Sequence, residues 1–144
     1  MRADGARVAR LAEGWLGTPY VHQASARGQG TDCLGLVRGL YRELHGDEPL
    51  TVPPYTPDWH GEGEPLLDAA AAALLPTETP FVGDVLLFRM APDAPARHCG
   101  VLTAPDRFVH AYSGRAVTRA RFGRYWRARL AGVFSLPEVP SWHS

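Results

Sequence analysis

The apolar residues of this chain change their spacing near its middle, and that change most constrains the fold. Early on they recur every three or four residues, which predicts helices over about Asp4–Leu16, Asp32–His45 and Leu66–Leu75. Beyond residue 80 the pattern becomes strand-like, in Phe81–Arg89, His98–Thr103, Phe108–Tyr112, Ala116–Arg119 and Val133–Leu136, with one short basic helix over Arg121–Arg129. Helices followed by strands are typical of an α+β fold with an antiparallel sheet.

Capping and helix-breaking residues predict where the helices begin and end. Asp4 can cap the first helix and Gly17 can end it, Gly46 can end the second, and Pro76 can stop the third. The proline-rich stretch 47–65 is interpreted as an extended excursion over the surface. At 144 residues we expect one domain, residues 1–144.

Charge and hydropathy exclude several classes of protein. A formal net charge of zero argues against general nucleic-acid binding, which needs a cationic surface. No apolar run approaches the ~20 residues of a membrane span. Residues 1–5 lack the apolar core of a signal peptide, so we expect a protein that works inside the cell or leaves it by another route.

Cys33 stands at the start of the second predicted helix, after a glycine-containing loop. The helix dipole and unpaired N–H groups there favour a thiolate, the nucleophilic form of cysteine, and can hold an oxyanion. A small core residue is the alternative. We expect Cys33 at an exposed helix start and Cys99, whose neighbour is His98, on the opposite face of its strand as a core thiol. A Cys33–Cys99 disulfide would consume the nucleophile, so both are predicted to be reduced.

His98 and His110 lie on consecutive predicted strands. A turn centred on residue 104 places them directly opposite each other, with Cβ atoms about 5 Å apart. A turn centred on residue 105 places His98 opposite Tyr112 and makes His110 a diagonal neighbour. Either register suits a Cys–His–His relay, in which one histidine exchanges a proton with the cysteine and the other orients it. A cross-strand polar pair and a zinc site on Cys33, His98 and His110 are the alternatives.

Four segments in order now resemble the NlpC/P60 cell-wall peptidases, a papain-like family. They are the nucleophile region (Trp15–Tyr20 together with Thr31–Val37), Gly83–Phe88, His98–Val101 and His110-Ala111. The resemblance covers about residues 8–135. It implies a papain-like fold with N-terminal helices on a central antiparallel sheet, and a cysteine peptidase without metal or cofactor.

The resemblance also implies roles for individual residues. Cys33 is the nucleophile, His98 the general base and acid, and His110 the orienting residue. Asp32 matches an aspartate that binds the free amino end of the substrate, or it is a helix N-cap. Tyr20 matches a tyrosine near the nucleophile, which assists the oxyanion or packs the loop. Where relatives have a serine after the cysteine, this chain has Leu34. The common Trp-Gly-Gly of relatives is replaced by His22-Gln23-Ala24, and His22 or Gln23 could donate a hydrogen bond to the oxyanion or shape the loop.

A narrower similarity is to phage-type cell-wall peptidases encoded among tail genes of prophages and gene-transfer agents. It rests on Pro19–Ser25, Gly28–Leu36 and residues 110–114. It implies cleavage of peptidoglycan stem peptides at D-glutamyl–diamino acid bonds. It also implies a cytoplasmic protein that reaches the wall with a particle or by lysis. An amidase on the same fold is one alternative. A structural tail component is another, because residues 115–129 hold six arginines and no acid.

Overall fold

The computed structural model describes residues 2–48, 63–112 and 114–138. Its helices and strands, in chain order, are α1 Gly5–Glu13, β1 Ser25–Ala26, β2 Gly30–Thr31, α2 Cys33–His45, α3 Pro65–Ala73, β3 Leu75–Thr77, β4 Val85–Phe88, β5 His98–Ala104, β6 Arg107–His110, β7 Thr118–Arg121, α4 Arg124–Arg127 and β8 Leu130–Ser135. The predicted α+β class, with helices on a central antiparallel sheet, is confirmed. Most of the proline-rich excursion, residues 49–62, lies outside the described residues.

Helix α1 begins where predicted and ends earlier. The Asp4 carboxylate accepts the Ala6 N–H at 3.0 Å, which caps the first turn. The helix ends at Glu13, so its predicted extension to Leu16 is wrong. Trp15 lies beyond this end because its ring is buried and its indole N–H donates to Glu43 of α2 at 2.6 Å. This tertiary contact fixes the chain after α1.

Helix α2 runs close to its predicted limits. Asp32 caps its start, and Gly46 ends it in the left-handed conformation, with its N–H donating to the Arg42 carbonyl at 2.7 Å. The helix is buried on several sides, because apolar residues occupy more than one of its faces. It therefore holds its first residue, Cys33, rigidly against the sheet.

The limits of helix α3, Pro65 and Ala73, differ from the predicted Leu66 and Leu75, and a proline lies near each end. Pro65 occupies its first turn, where a missing N–H costs nothing, and the helix ends at Ala73. Pro76, predicted only to stop the helix, lies inside strand β3. This is tolerated because β3 is at the edge of the sheet and pairs only with β8.

The six strands of the main sheet are antiparallel and follow the order β3-β8-β4-β5-β6-β7. Several predicted boundaries shift, and strand β8 begins at Leu130, three residues before its prediction. Strand β4 starts at Val85 because Gly83 turns the chain with a φ of 94°. Strand β7 extends to Arg121, which pairs with Arg107, and helix α4 shrinks to one turn beginning after Gly123.

The sheet separates two apolar clusters. The larger contains Val85, Leu87, Cys99 and Val101 on the face covered by helices α1 and α2. The smaller contains Phe88, Leu102, Phe108 and Phe122 on the other face. Because side chains alternate along a strand, neighbouring residues such as His98 and Cys99 enter different environments.

Candidate active site

Cys33 is the first residue of α2 and lies where that helix meets strand β5. Its N–H is among the first four of the helix, which have no acceptor within the helix. Only 8% of the residue is accessible to solvent. The expectation of an exposed helix start is therefore wrong, because the helix N-terminus packs against the sheet. Both cysteines are free thiols.

His98 and His110 lie on neighbouring strands, and their rings are in hydrogen-bonding contact. Nε2 of His98 is 2.7 Å from Nδ1 of His110. Strands β5 and β6 pair with Val101 opposite Val109. This is the register of a turn centred on residue 105, so His110 is a diagonal neighbour of His98. The alternative register, with the two histidines directly opposite, is wrong.

Gly100 makes room for this diagonal contact. A Cβ atom at Gly100 would lie 2.8 Å from the ring of Phe108, 2.9 Å from the carbonyl oxygen of Val109 and 3.1 Å from Cβ of His110. Contacts below 3.0 Å require the neighbours to move. Glycine at this position therefore allows β6 to hold His110 beside His98.

The histidine pair has a defined proton arrangement. Burial, together with the charge of His98, lowers the pKa of His110 to about 3. His110 is therefore neutral at physiological pH and carries one N–H. When His98 is protonated on both nitrogens, its Nε2–H donates to Nδ1 of His110. The other nitrogen of His98, Nδ1, is then the one available to Cys33.

The thiol of Cys33 is strongly acidic. Its pKa is lowered from 9.0 to about 5, chiefly by a hydrogen bond from the Cys99 side chain and also by the hydrogen bond and charge of His98. Burial and the negative charge of Asp32 act in the opposite direction. At neutral pH the folded protein therefore holds Cys33 as a thiolate, the nucleophilic form.

Asp32 connects the start of α2 to the preceding loop. Its Oδ1 accepts the Gly35 N–H and its Oδ2 accepts the Gln23 N–H, both at 2.7 Å. Nδ1 of His22 lies 3.8 Å from the same Oδ2. Asp32 is 2% exposed. The N-cap role is present in the structure, and both carboxylate oxygens bind groups of the protein.

The glycine-containing loop before α2, residues 20–31, contains a small hairpin. Ser25 pairs with Thr31 in strands β1 and β2, and Tyr20 also bridges to Thr31. Gln23 adopts the left-handed conformation, with a φ of 65°. These pairings bring Tyr20, His22 and Gln23 beside the start of α2, while the half-buried ring of Tyr20 packs against the larger core cluster.

Aromatic rings surround the two imidazoles. A turn centred on residue 105 already predicted Tyr112 beside His98, whereas Phe88 and Trp126 were not predicted from the sequence. Trp126 of α4 lies 5.7 Å from His98 and 5.4 Å from His110 between ring centroids. Phe88 stacks on His98 at 6.0 Å, and Tyr112 meets it edge-on at 5.4 Å. These contacts restrict the orientation of His98. Trp126 gave no distinct signal because it lies among the arginines of a predicted basic helix.

Cys99 was predicted as a core thiol on the opposite strand face from His98, and the structure confirms this position. It is 1% exposed and belongs to the helix-side cluster. That face is the one that meets α2, so its Sγ lies 3.3 Å from the carbonyl oxygen of Cys33. The alternation of the strand predicted the face, while the contact with Cys33 could not be read from the sequence.

The described residues offer no set of three His, Cys, Asp or Glu side chains that could hold a metal ion. The 2.7 Å contact between the imidazole nitrogens also leaves no space for an ion between them. None of the helices in the described part of the chain has the length and hydropathy of a membrane span.

The arginine-rich segment 115–129 is partly bound within the protein. Arg119 pairs with Glu13 at 2.9 Å, Arg127 lies over the ring of Phe122, and Arg129 lies over the ring of Tyr125. Arg121 is exposed and stands directly opposite the exposed Arg107 on β6. Two like charges face each other at this edge of the sheet, which is unfavourable without a counter-charge.

The sequence of the chain is similar to that of known proteins. Residues 17–135 match the model of the NlpC/P60 family. The chain is 27% identical over 127 residues to a gamma-DL-glutamyl hydrolase of Bacillus subtilis (strain 168), a match that covers 88% of this chain and 28% of that protein.

Solved structures share the fold. NlpC2 of Trichomonas vaginalis matches with a TM-score of 0.63 at 23% identity, over 91% of this chain and 45% of that one. The NlpC/p60 domain of the peptidoglycan hydrolase SagA matches with a TM-score of 0.61 at 21% identity, over 93% of this chain and 100% of the domain. The chain thus spans less than half the length of the Bacillus and Trichomonas proteins.

Proposed function

The chain belongs to the NlpC/P60 family, and from that premise we propose that residues 1–144 form a single cysteine peptidase domain that hydrolyses peptidoglycan stem peptides. The observation that carries the proposal is geometric: Cys33 begins helix α2 where it packs on β5, the strand of His98, and His110 lies 2.7 Å behind His98. The lowered pKa of Cys33, to which His98 contributes, agrees with this arrangement. This is the order of groups that a papain-like relay requires.

The first half of the proposed reaction forms an acyl-enzyme. The Cys33 thiolate attacks the carbonyl carbon of the scissile amide, and the carbonyl oxygen becomes an oxyanion. The N–H of Cys33, at the positive end of α2, is suited to stabilise that oxyanion. The His98 imidazolium gives its Nδ1 proton to the leaving amine nitrogen, the C–N bond breaks, and a thioester to Cys33 remains.

The second half consumes water. Neutral His98 removes a proton from a water molecule, whose oxygen attacks the thioester carbonyl. The Cys33 thiolate leaves, the product departs as a carboxylic acid, and the imidazolium of His98 is restored. Throughout, neutral His110 accepts the Nε2–H of His98 and so keeps the ring in one orientation.

The proposed scissile bond joins D-glutamate to a diamino acid. Support comes from the Bacillus subtilis relative, whose name states that it hydrolyses gamma-DL-glutamyl bonds. The SagA domain, named as part of a peptidoglycan hydrolase, agrees with a cell-wall substrate. An amidase that cuts between sugar and peptide is the alternative on the same fold.

The loop before α2 would form one wall of the substrate site. His22, Gln23 and Tyr20 stand next to the Cys33 helix start, where a hydrogen-bond donor could reach the oxyanion. The role in binding a substrate amine that the resemblance implies for Asp32 requires contact with a carboxylate that is 2% exposed. Its hydrogen bonds favour a positioning role instead.

Digestion of purified peptidoglycan tests the proposal. Wild-type protein should release new amino groups, and Cys33→Ala should release none, with Gly123→Ala as a control whose added Cβ meets nothing closer than 3.7 Å. Mass analysis of the fragments distinguishes a cut within the stem peptide from a cut at the sugar. Equal release by wild type and Cys33→Ala would refute the assignment.

The cellular setting proposed here is a phage-like tail or gene-transfer agent. It rests on the motifs at residues 19–25 and 110–114, which are similar to those of tail-encoded peptidases. The protein would stay in the cytoplasm until it is assembled into a particle or released by lysis, and it would act at the wall. Co-purification with tail proteins encoded nearby would support this setting, and failure to co-purify would refute it.

A structural tail component that uses the fold for docking is a second candidate. The directly opposed Arg107 and Arg121 favour it, since an anionic wall polymer or an acidic protein would supply a counter-charge. Binding of Cys33→Ala to whole walls should then weaken with salt, and further with Arg107→Gln and Arg121→Gln together. Binding insensitive to both would exclude this role.

A further inference from the structure

Cys99 has no part in the mechanism above, yet its side chain reaches the nucleophile. It is the second residue of β5, and its Sγ lies 3.3 Å from the carbonyl oxygen of Cys33. Its nearness is also the largest influence that lowers the pKa of Cys33. Both thiols are shielded from solvent, with Cys99 at 1% exposure.

The Cys99 thiol has one proton, which it donates to the Cys33 carbonyl oxygen, and the sulfur of the same residue is the competing acceptor. A charged acceptor makes the stronger hydrogen bond, so ionisation of Cys33 directs this proton to the thiolate. Cys99 itself stays protonated because the adjacent Cys33 and burial both raise its pKa well above the usual value. It is therefore a permanent donor facing the nucleophile.

We propose that Cys99 is a positioning residue for the reaction: its S–H donates a hydrogen bond to the Cys33 thiolate and stabilises the ionised nucleophile in a buried site. The proposal rests on the proposed function in one respect, the identity of Cys33 as the nucleophile. The need for such a donor follows from burial, because a thiolate removed from water is costly unless it is hydrogen-bonded.

Other charged groups at Cys33 have different effects. His98, also on β5, hydrogen-bonds Cys33 and carries a stabilising charge, but it must release its proton to the leaving amine. Asp32, one residue before Cys33, opposes ionisation. His110 reaches Cys33 only through His98 and is neutral. Cys99 is thus the donor that stays in place while His98 changes its protonation state.

The pH dependence of Cys33 alkylation by iodoacetamide tests the proposal, because only the thiolate reacts. The extent of modification is measured by mass spectrometry of the Cys33 peptide. In Cys99→Ala the midpoint should rise by about one to two pH units, the shift expected for loss of a hydrogen bond to a charged group. Cys99→Ser, which keeps a donor, should restore most of the shift.

Val101→Ala is the matched control for core damage. Val101 lies on the same face of β5 and is fully buried, so its truncation loosens the same cluster without removing a donor. Its midpoint should equal that of the wild type. Circular dichroism checks that each variant is folded.

His98→Asn provides a second background for the comparison. Adding Cys99→Ala to this variant should raise its Cys33 midpoint, because the remaining influence that lowers the pKa is then lost. The proposal is overturned by an unchanged midpoint in Cys99→Ala, by equal shifts in Cys99→Ala and Cys99→Ser, or by equal midpoints in His98→Asn with and without Cys99→Ala. Since alkylation needs no substrate, a shifted midpoint in a protein that does not cleave peptidoglycan would refute the proposed function alone.

Discussion

His98 and His110 meet on a diagonal across the β5–β6 pair, with Nε2 of the first 2.7 Å from Nδ1 of the second. The two rings meet edge-on, with an interplanar angle of 70°. In this arrangement Nε2 of His98 faces Nδ1 of His110. The neutral state of His110 makes it an acceptor for His98. Orientation of the base thus depends on a second residue that does not touch the thiol.

Removing the acceptor at position 110 should misorient His98. We expect His110→Ala to lower kcat/KM for peptidoglycan fragments about 10²-fold, the scale of a misplacement near 1 Å. His110→Asn, which keeps an acceptor, should lose less. Equal activity of wild type and His110→Ala would contradict the orienting role.

Adding a methyl group at Gly100 should disturb the contact between His98 and His110. The Cβ of Gly100→Ala would push against Phe108 and His110, so we expect a loss of about 1–3 kcal/mol of unfolding free energy and a marked fall in activity. Urea unfolding and a kinetic assay measure the two effects. Gly123→Ala, which adds the same methyl group at a distance of 3.7 Å from its neighbours, should change neither.

Acid should destabilise the fold through His110. The unfolded chain protonates this residue near 6.5, whereas the folded protein keeps it neutral down to a pKa of about 3. The unfolded state therefore binds more protons in this window, and the unfolding free energy should fall as the pH drops from 6.5 towards 3.

Urea unfolding at several pH values measures how the unfolding free energy depends on pH. His110→Asn should make this dependence weaker between pH 3 and 6.5. Cys33 contributes in the same direction between about 5 and 9.0, because its pKa is lowered on folding. The comparison is therefore best made in a Cys33→Ala background. A slope unchanged by His110→Asn would show that another group carries the acid sensitivity.

Asp32 should affect stability and thiol acidity in opposite ways. Asp32→Asn keeps an oxygen for the Gly35 N–H but loses the acceptor for Gln23 and the negative charge. We expect a loss of about 1 kcal/mol of unfolding free energy, typical of one hydrogen bond. The alkylation midpoint of Cys33 should move lower, because the carboxylate raises its pKa. A higher midpoint would refute this account of the charge.

Local spacing in the sequence predicted much of the fold and the site. The cap at Asp32 and the left-handed Gly46 define α2 because both act on the backbone next to them. The edge strand containing Pro76 was missed, since Pro76 reads locally only as a helix stop. Its place depends on β8, which follows it by more than fifty residues.

The sequence alone determined which residue types are available and, through the alternation of strands, that His98 and Cys99 point to opposite faces. Only the tertiary structure decided the register. Strands β5 and β6 join through a two-residue turn that pairs Ala104 with Arg107, and a bulge at Thr103 then shifts the pairing by one residue. Without that bulge His98 and His110 would lie on opposite faces, because a one-residue slip exchanges the faces of a strand. The packing of α2 over β5 likewise decided that the buried Cys99 meets Cys33, since that contact joins residues 66 positions apart and no local pattern encodes it.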